Sequence, residues 1–294
     1  MRHSFDRLEK DIAQELDIER ADNEARKLFE RYTPKEATFS DVYDQTGLDR
    51  DIKRVEDLER AFDSQNTAEE LRMKRISNIF EASILKHGEL GNWFGGEAIT
   101  VKTSKYDDYV NGVDTVIEFP EGEGQERHHL GLAADISFSP DIQKKFERVI
   151  GRIQKGELVD LKYFDSKEAG IHGKLANLPE VIIGADSRTV LELADLSLEN
   201  QNKALAEHRI QIMLLMQIKA QLEAFTTYAR YIGQDRIAEV YESRLATVDK
   251  IFADKRELTE KVKFEIDSDS VHSSIMAYVK SWSKSLEEPR RAAA

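Results

Sequence analysis

A chain of 294 residues with a formal net charge of −13 and no cysteine excludes several classes at the outset. Disulfide scaffolds and thiolate metal sites need sulfur, coating nucleic acid by bulk electrostatics needs the opposite charge, and no apolar run approaches the roughly 20 residues of a membrane span. The charged fraction of 34% and mean hydropathy of −0.55 describe a soluble, helix-rich protein, and with no apolar stretch behind Met1-Arg2-His3 the expected location is cytoplasmic.

Leu8, Ile12, Leu16, Ile18, Ala25, Leu28 and Phe29 keep helical spacing over about 4–32, and Pro34 ends that helix. A second helical region carries Leu58 and Phe62 and stops near Ser64-Gln65-Asn66. Thr67-Ala68-Glu69-Glu70 then reads as a capping box. It opens a helix with Ile76, Ile79, Phe80, Ile84 and Leu85 that ends around His87-Gly88.

The pattern changes to strands at 98–101, 113–119 and 130–138, the second ended by Pro120 and the last two joined by a loop over 121–127 with two glycines. Between the first two lies a polar loop that includes Asp107-Asp108. Ser139 reads as an N-cap with Pro140 at the first helical position, and Ile142, Phe146, Val149, Ile150 and Ile153 carry that helix to Gly156. Strands follow at 158–164 and 181–183. From Ser187 onward the pattern is helical: 191–198, a long helix over 201–232 broken at Gly233, one through Ile237 to Phe252, and a last one over 271–286 before a frayed tail at Pro289. The expected organisation is an N-terminal helical extension (1–66), an α/β core (67–186) and a C-terminal helical region (187–294).

Two strands carry an aspartate inside a run that should be buried: Gly112-Val113-Asp114-Thr115-Val116 and Leu132-Ala133-Ala134-Asp135-Ile136. A buried carboxylate costs several kcal/mol unless it is paired, protonated or metal-bound. Alternation puts Asp114, Val116 and Glu118 on one face, and Ala133, Asp135 and Ser137 on one face of the next strand. If the two strands form a hairpin, the aspartates converge and present oxygen ligands suited to Mg²⁺ or Mn²⁺.

In this order of elements the segment 67–164 resembles the PD-(D/E)XK nuclease superfamily, whose core runs αβββαβ with an acid on the first helix, an aspartate on the second strand and an acidic-x-lysine motif on the third. The resemblance implies a restriction-endonuclease-like core with a small mixed sheet, flanked by N-terminal helices and a C-terminal helical bundle. It implies that Glu81, Asp114 and Asp135 hold Mg²⁺ or Mn²⁺, and that metal-activated water hydrolyses a phosphodiester in DNA. The motif lysine is replaced by Ser137. Lys144, Lys145 on the next helix, or Lys162 on the fourth strand would then supply the cation, with Lys145 favoured as catalytic together with Asp114 and Asp135. Each acid also has a plain reading: Asp114 as a turn residue, Asp135 as a hydrogen-bonded core aspartate, Glu81 as a solvent-facing helix residue. On those readings the chain is an inactive nuclease-fold module that works through its helices. The apolar run Ile210 to Met216 is expected to be a core helix of the C-terminal bundle, any exposed remainder serving a homodimer.

Overall fold

Apolar residues at helical spacing build α1 (Arg2–Tyr32), which stops two residues short of Pro34. After α2 (Gln45–Asp63), Thr67 caps α3 (Ala68–Leu90) reciprocally with Glu70, as the sequence predicts. The computed structural model describes residues 2–63, 67–121, 128–139 and 141–292. The expected stop at 64–66, the glycine-containing loop 122–127 and Pro140 lie outside them.

Three antiparallel strands follow: β1 (Ile99–Lys102), β2 (Thr115–Glu121) and β3 (His128–Ser137). Pro120 does not end β2. It pairs with His129 beyond Glu118, the last residue of β2 that faces β1, so no neighbour there calls for its missing N–H. The next helix, α4 (Gln143–Lys155), begins later than Ser139 predicts. Ile142 stands at its N-cap with no side-chain bond, and the Ser139 hydroxyl accepts instead from the Asp141 N–H. Gly156 closes α4 in the left-handed conformation at φ 74°.

The strand expected at 158–164 is not the fourth strand of the central sheet. As β4 (Val159–Ser166) it forms a separate antiparallel hairpin with β5 (Ile171–Leu178), a strand the sequence reading lacks. The fourth position belongs to β6 (Glu180–Gly184), parallel to β3, giving the order β1-β2-β3-β6. Burial gives the reason. Every residue of β6 is buried, whereas β4 alternates buried and exposed positions as a one-sided surface strand does.

Asp186 caps α5 (Ser187–Leu198). The helix expected over 201–232 is divided into α6 (Asn202–Ala206) and α7 (Ile210–Tyr231). At the division side chains satisfy the backbone: the Ile210 N–H donates to His208 Nδ1, and the Gln211 amide donates to the Ala206 and His208 carbonyls. After Gly233, at φ 79°, come α8 (Asp235–Asp254), α9 (Arg256–Val262) and α10 (Ser270–Ala292), the last continuing through the expected tail.

Met213, Leu214 and Leu215 are fully buried and Met216 packs against the same core, so the apolar run is enclosed within the chain. One apolar cluster connects Ile18 of α1, the sheet, α4, α7, α8 and α10. A smaller one joins Phe39, Leu48 and Tyr163. Among the described residues no helix is long and apolar enough to cross a membrane.

The free edge of β6 is closed by side chains. Gln221 accepts from the Ile182 N–H at 2.8 Å and donates to the Ile182 carbonyl at 2.6 Å; Gln217 does the same for Gly184, at 2.8 and 2.9 Å. Two residues of strand rise about 6.6 Å and four of helix about 6 Å, so one glutamine per helical turn matches every second strand residue. Gln221→Leu leaves both Ile182 backbone groups buried without partners. It is expected to lower stability by about 2–5 kcal/mol, read as a shift of the urea midpoint at unchanged m-value.

Candidate acidic site

The site begins where β1 ends. Thr100 and Lys102 alternate with partly exposed Ile99 and Val101 and are themselves buried. Thr100 donates to the Leu85 carbonyl of α3, which fixes β1 against that helix and brings Lys102 to Glu81. A helical turn at Asp107–Asn111 follows, ended by Gly112 at φ 70°. That conformation favours glycine, and a Cβ there would also run into the Arg148 guanidinium.

The adjacent aspartates of this turn do different work. Asp107 is fully buried, and its oxygens accept from the Lys162 and Tyr163 N–H groups at 2.8 Å each, from Asn111 at 2.7 Å and from Ser104 at 2.9 Å. It ties the turn to β4. Asp108 turns the other way. One carboxylate oxygen each from Glu81, Asp108 and Asp114 lies within 4.8 Å of the others. The Lys102 ammonium stands among them, 3.1 Å from Glu81 Oε2, 3.4 Å from Asp108 Oδ2 and 3.1 Å from the Asp114 carbonyl. Asp114 Oδ2 accepts from the Ile136 N–H at 2.6 Å, which anchors it to β3.

The electrostatics follow from burial and counting. Three carboxylates face one ammonium, a deficit of two positive charges if all three ionise. Burial pushes the Asp108 carboxyl well above the usual carboxylate range, with the charges of Asp114 and Glu81 adding to the rise and Lys102 opposing it. Burial and the Glu81 charge raise Asp114 as well. Burial by itself would lower Lys102, but the surrounding carboxylates outweigh it and hold the ammonium above its ordinary value.

Asp135 follows Ala134, whose carbonyl accepts from the Asp114 N–H, yet its oxygens are committed elsewhere. Oδ1 accepts from Lys145 at 2.5 Å and Oδ2 from Arg148. Arg148 also bonds Glu180 and the Gly112 carbonyl, and Arg152 bonds Glu180 and the Asn111 carbonyl. Lys145 thus reaches β3 from α4, where it holds Asp135 and the Ile136 carbonyl. Lys144 is exposed, and Lys162 pairs with Asp51 of α2 at 2.5 Å. Ser137, where the resemblance would put a lysine, donates to the Ser139 carbonyl.

The structure therefore brings Glu81 and Asp114 together with Asp108, a residue the sequence reading left in a polar loop, and with Lys102, which that reading did not single out. The signal for Lys102 was a lysine closing the apolar strand Ile99-Thr100-Val101 on its inward-facing register. Comparison with protein-family models, with curated proteins and with solved structures returns no match.

Lys102→Met removes the one ammonium from this cluster. In chelator at pH 8 it is expected to cost about 3–5 kcal/mol, as breaking a buried ion pair does. Asp108 and Asp114 are raised in the folded state, so the native protein holds protons that the unfolded chain has already released. Their contribution is present below the unfolded carboxylate range and fades as pH rises through the folded values. Without Lys102 those values rise further. The stability gap between variant and parent should therefore narrow from pH 8 to pH 5, measured by urea unfolding at each pH.

Proposed function

We propose that this chain is a divalent-cation-dependent phosphodiesterase acting on DNA, with Glu81, Asp108 and Asp114 as the residues that would hold the cation. The observation that carries the reading is the convergence of three oxygen donors within 4.8 Å around a single contacting ammonium. Hard cations such as Mg²⁺ and Mn²⁺ take carboxylate oxygens, so the donor set fits. The element order α3, β1, β2, β3, α4, β6 supports a PD-(D/E)XK-like core if the β4–β5 hairpin is an insertion before the last strand.

When bound, the cation supplies Lewis acidity and neutralises charge at a phosphoryl group. The chain's own residues have distinct roles in this reading. Asp114, fixed by the Ile136 N–H, and Glu81, fixed on α3, keep the acids apart and aimed at one point. Lys102 takes the part of the cation that Ser137 cannot play, reaching the site from β1 instead of β3. Its ammonium stays charged among the carboxylates, bonded to Glu81, Asp108 and the Asp114 carbonyl, and in this reading it offsets part of their charge. Asp135, Lys145 and Arg148 position β3 against α4 and do not touch the reacting group.

A second reading is favoured by the same lysine. Lys102 already gives the acids a counter-ion, and Asp135 is neutralised by two cations of α4. In that case the acidic cluster is structural and the chain is a binding module on a nuclease-like framework.

Titration of Mn²⁺ calorimetrically separates the two. On the enzyme reading the parent binds, Asp114→Asn weakens binding at least about tenfold, a loss of about 1.4 kcal/mol, and Asp135→Asn leaves it in place. Cleavage of single- and double-stranded DNA should fall by at least about 100-fold in Glu81→Ala and Asp114→Ala. Absence of both Mn²⁺ binding and cleavage in the parent would establish the module reading.

A further inference from the structure

Helix α3 has a second face, turned away from Glu81. Ile79, Ala82, Ser83 and Lys86 recur at the three-to-four spacing that marks one side of a helix, and at 100° per residue Glu81 falls on the opposite side. That side lines a cleft of about 750 Å³ between α1, α3 and α5. The cleft exists because the facing positions are small. Ala21 and Ala25 of α1, Ala82 of α3 and Ala194 of α5 form much of its floor, where larger side chains would interlock and fill it.

The rim has the opposite charge to the molecule. Arg20, Glu24, Lys27 and Arg31 form one stripe along α1, about 16 Å of helix rise, and Lys86 stands on α3. Four cations and one carboxylate line the cleft, and with Asp17 beside Arg20 the local excess is two positive charges in a chain whose net charge is −13. Glu24 is paired with Lys27 at 2.7 Å, and Arg20 with Asp17 at 2.9 Å. The wall adds a buried group with unused hydrogen-bonding capacity. His87 is 2% exposed, and its Nε2 has no partner among the described residues. Burial, with the charge of Lys86 adding to it, pulls the His87 pKa down to about 4, so the ring is neutral at pH 7 and able to donate.

A cleft of this size, aliphatic below and cationic above, matches the general form of a small-molecule site. We propose that it binds an organic phosphate of nucleotide size, the phosphates on Arg31, Lys86 and Lys27 and the less polar body on the alanine floor. The site is separate from the acidic cluster, and its occupation does not depend on the phosphodiesterase reading.

The test is calorimetric titration in EDTA, which keeps divalent ions from the acidic cluster, with ATP as probe beside inorganic pyrophosphate and adenosine. The expected result is ATP binding below about 1 mM, weaker binding of pyrophosphate and least of adenosine. Arg31→Gln combined with Lys86→Gln should weaken ATP at least about tenfold with an unchanged melting temperature. Ala82→Leu should block ATP by filling the floor, and Asp114→Asn should bind as the parent does. No ATP binding at about 1 mM, or equal affinity in the Arg31→Gln/Lys86→Gln protein, would overturn the proposal. Pyrophosphate binding as tightly as ATP would overturn the role of the floor.

Discussion

The two glutamines of α7 that close the edge of β6 are the contact on which the architecture turns. A parallel strand at a sheet edge leaves a row of N–H and C=O groups that must find partners. Here Gln217 and Gln221 supply them from the buried side of a helix whose Glu223, Thr227 and Arg230 stay exposed. Their spacing locks α7 to the sheet in one register, since a shift of one residue would take both amides off the edge. Tyr241 of α8 completes the edge by accepting from the Glu180 N–H and donating to its carbonyl, each at 3.3 Å.

With β6 held there, β3 becomes an interior strand and its buried Asp135 needs a settled partner. Asp135 meets this demand with Lys145 and Arg148 from α4, and Glu180 on β6 with Arg148 and Arg152. Two carboxylates are balanced by three cations in that layer, with the Arg148 guanidinium shared between the two acids. The layer beside it is not balanced. Among the described residues Glu81 and Asp108 share the one ammonium in direct contact with the cluster, that of Lys102, so this set is left shorter of positive charge than the Asp135–Glu180 layer.

Helix α3 joins this cluster to the rest of the molecule and keeps it apart from the basic cleft. Its Glu81 face meets β1, and its alanine and serine face meets α1 and α5. A chain with so large an acidic excess thus concentrates negative charge on one side of α3 and positive charge on the other. The helix between the two keeps the acids and the cleft cations from pairing directly, because side chains on opposite faces of one helix do not meet.

Local signals in the sequence determined the ends and faces of elements. The Thr67–Glu70 cap, Gly156 and Gly233 are decided by backbone conformation and by groups within four residues, so composition alone locates them. The same holds for Asp135 as an anomaly, since a carboxylate in a strand core is costly wherever that strand is placed, whereas Asp114 stands one residue before β2. Partnership was decided only in three dimensions. Nothing in 158–164 says that the strand pairs with a hairpin neighbour instead of the sheet, because pairing depends on which faces other elements cover. Nothing near Asp108 separates it from Asp107, though one holds β4 and the other faces Lys102. The acids were legible from their local cost. Their division into a paired Asp135 and an underbalanced Glu81–Asp108–Asp114 set was not, because Coulomb energy depends on distance in space and the lysine that decides it arrives from a different strand.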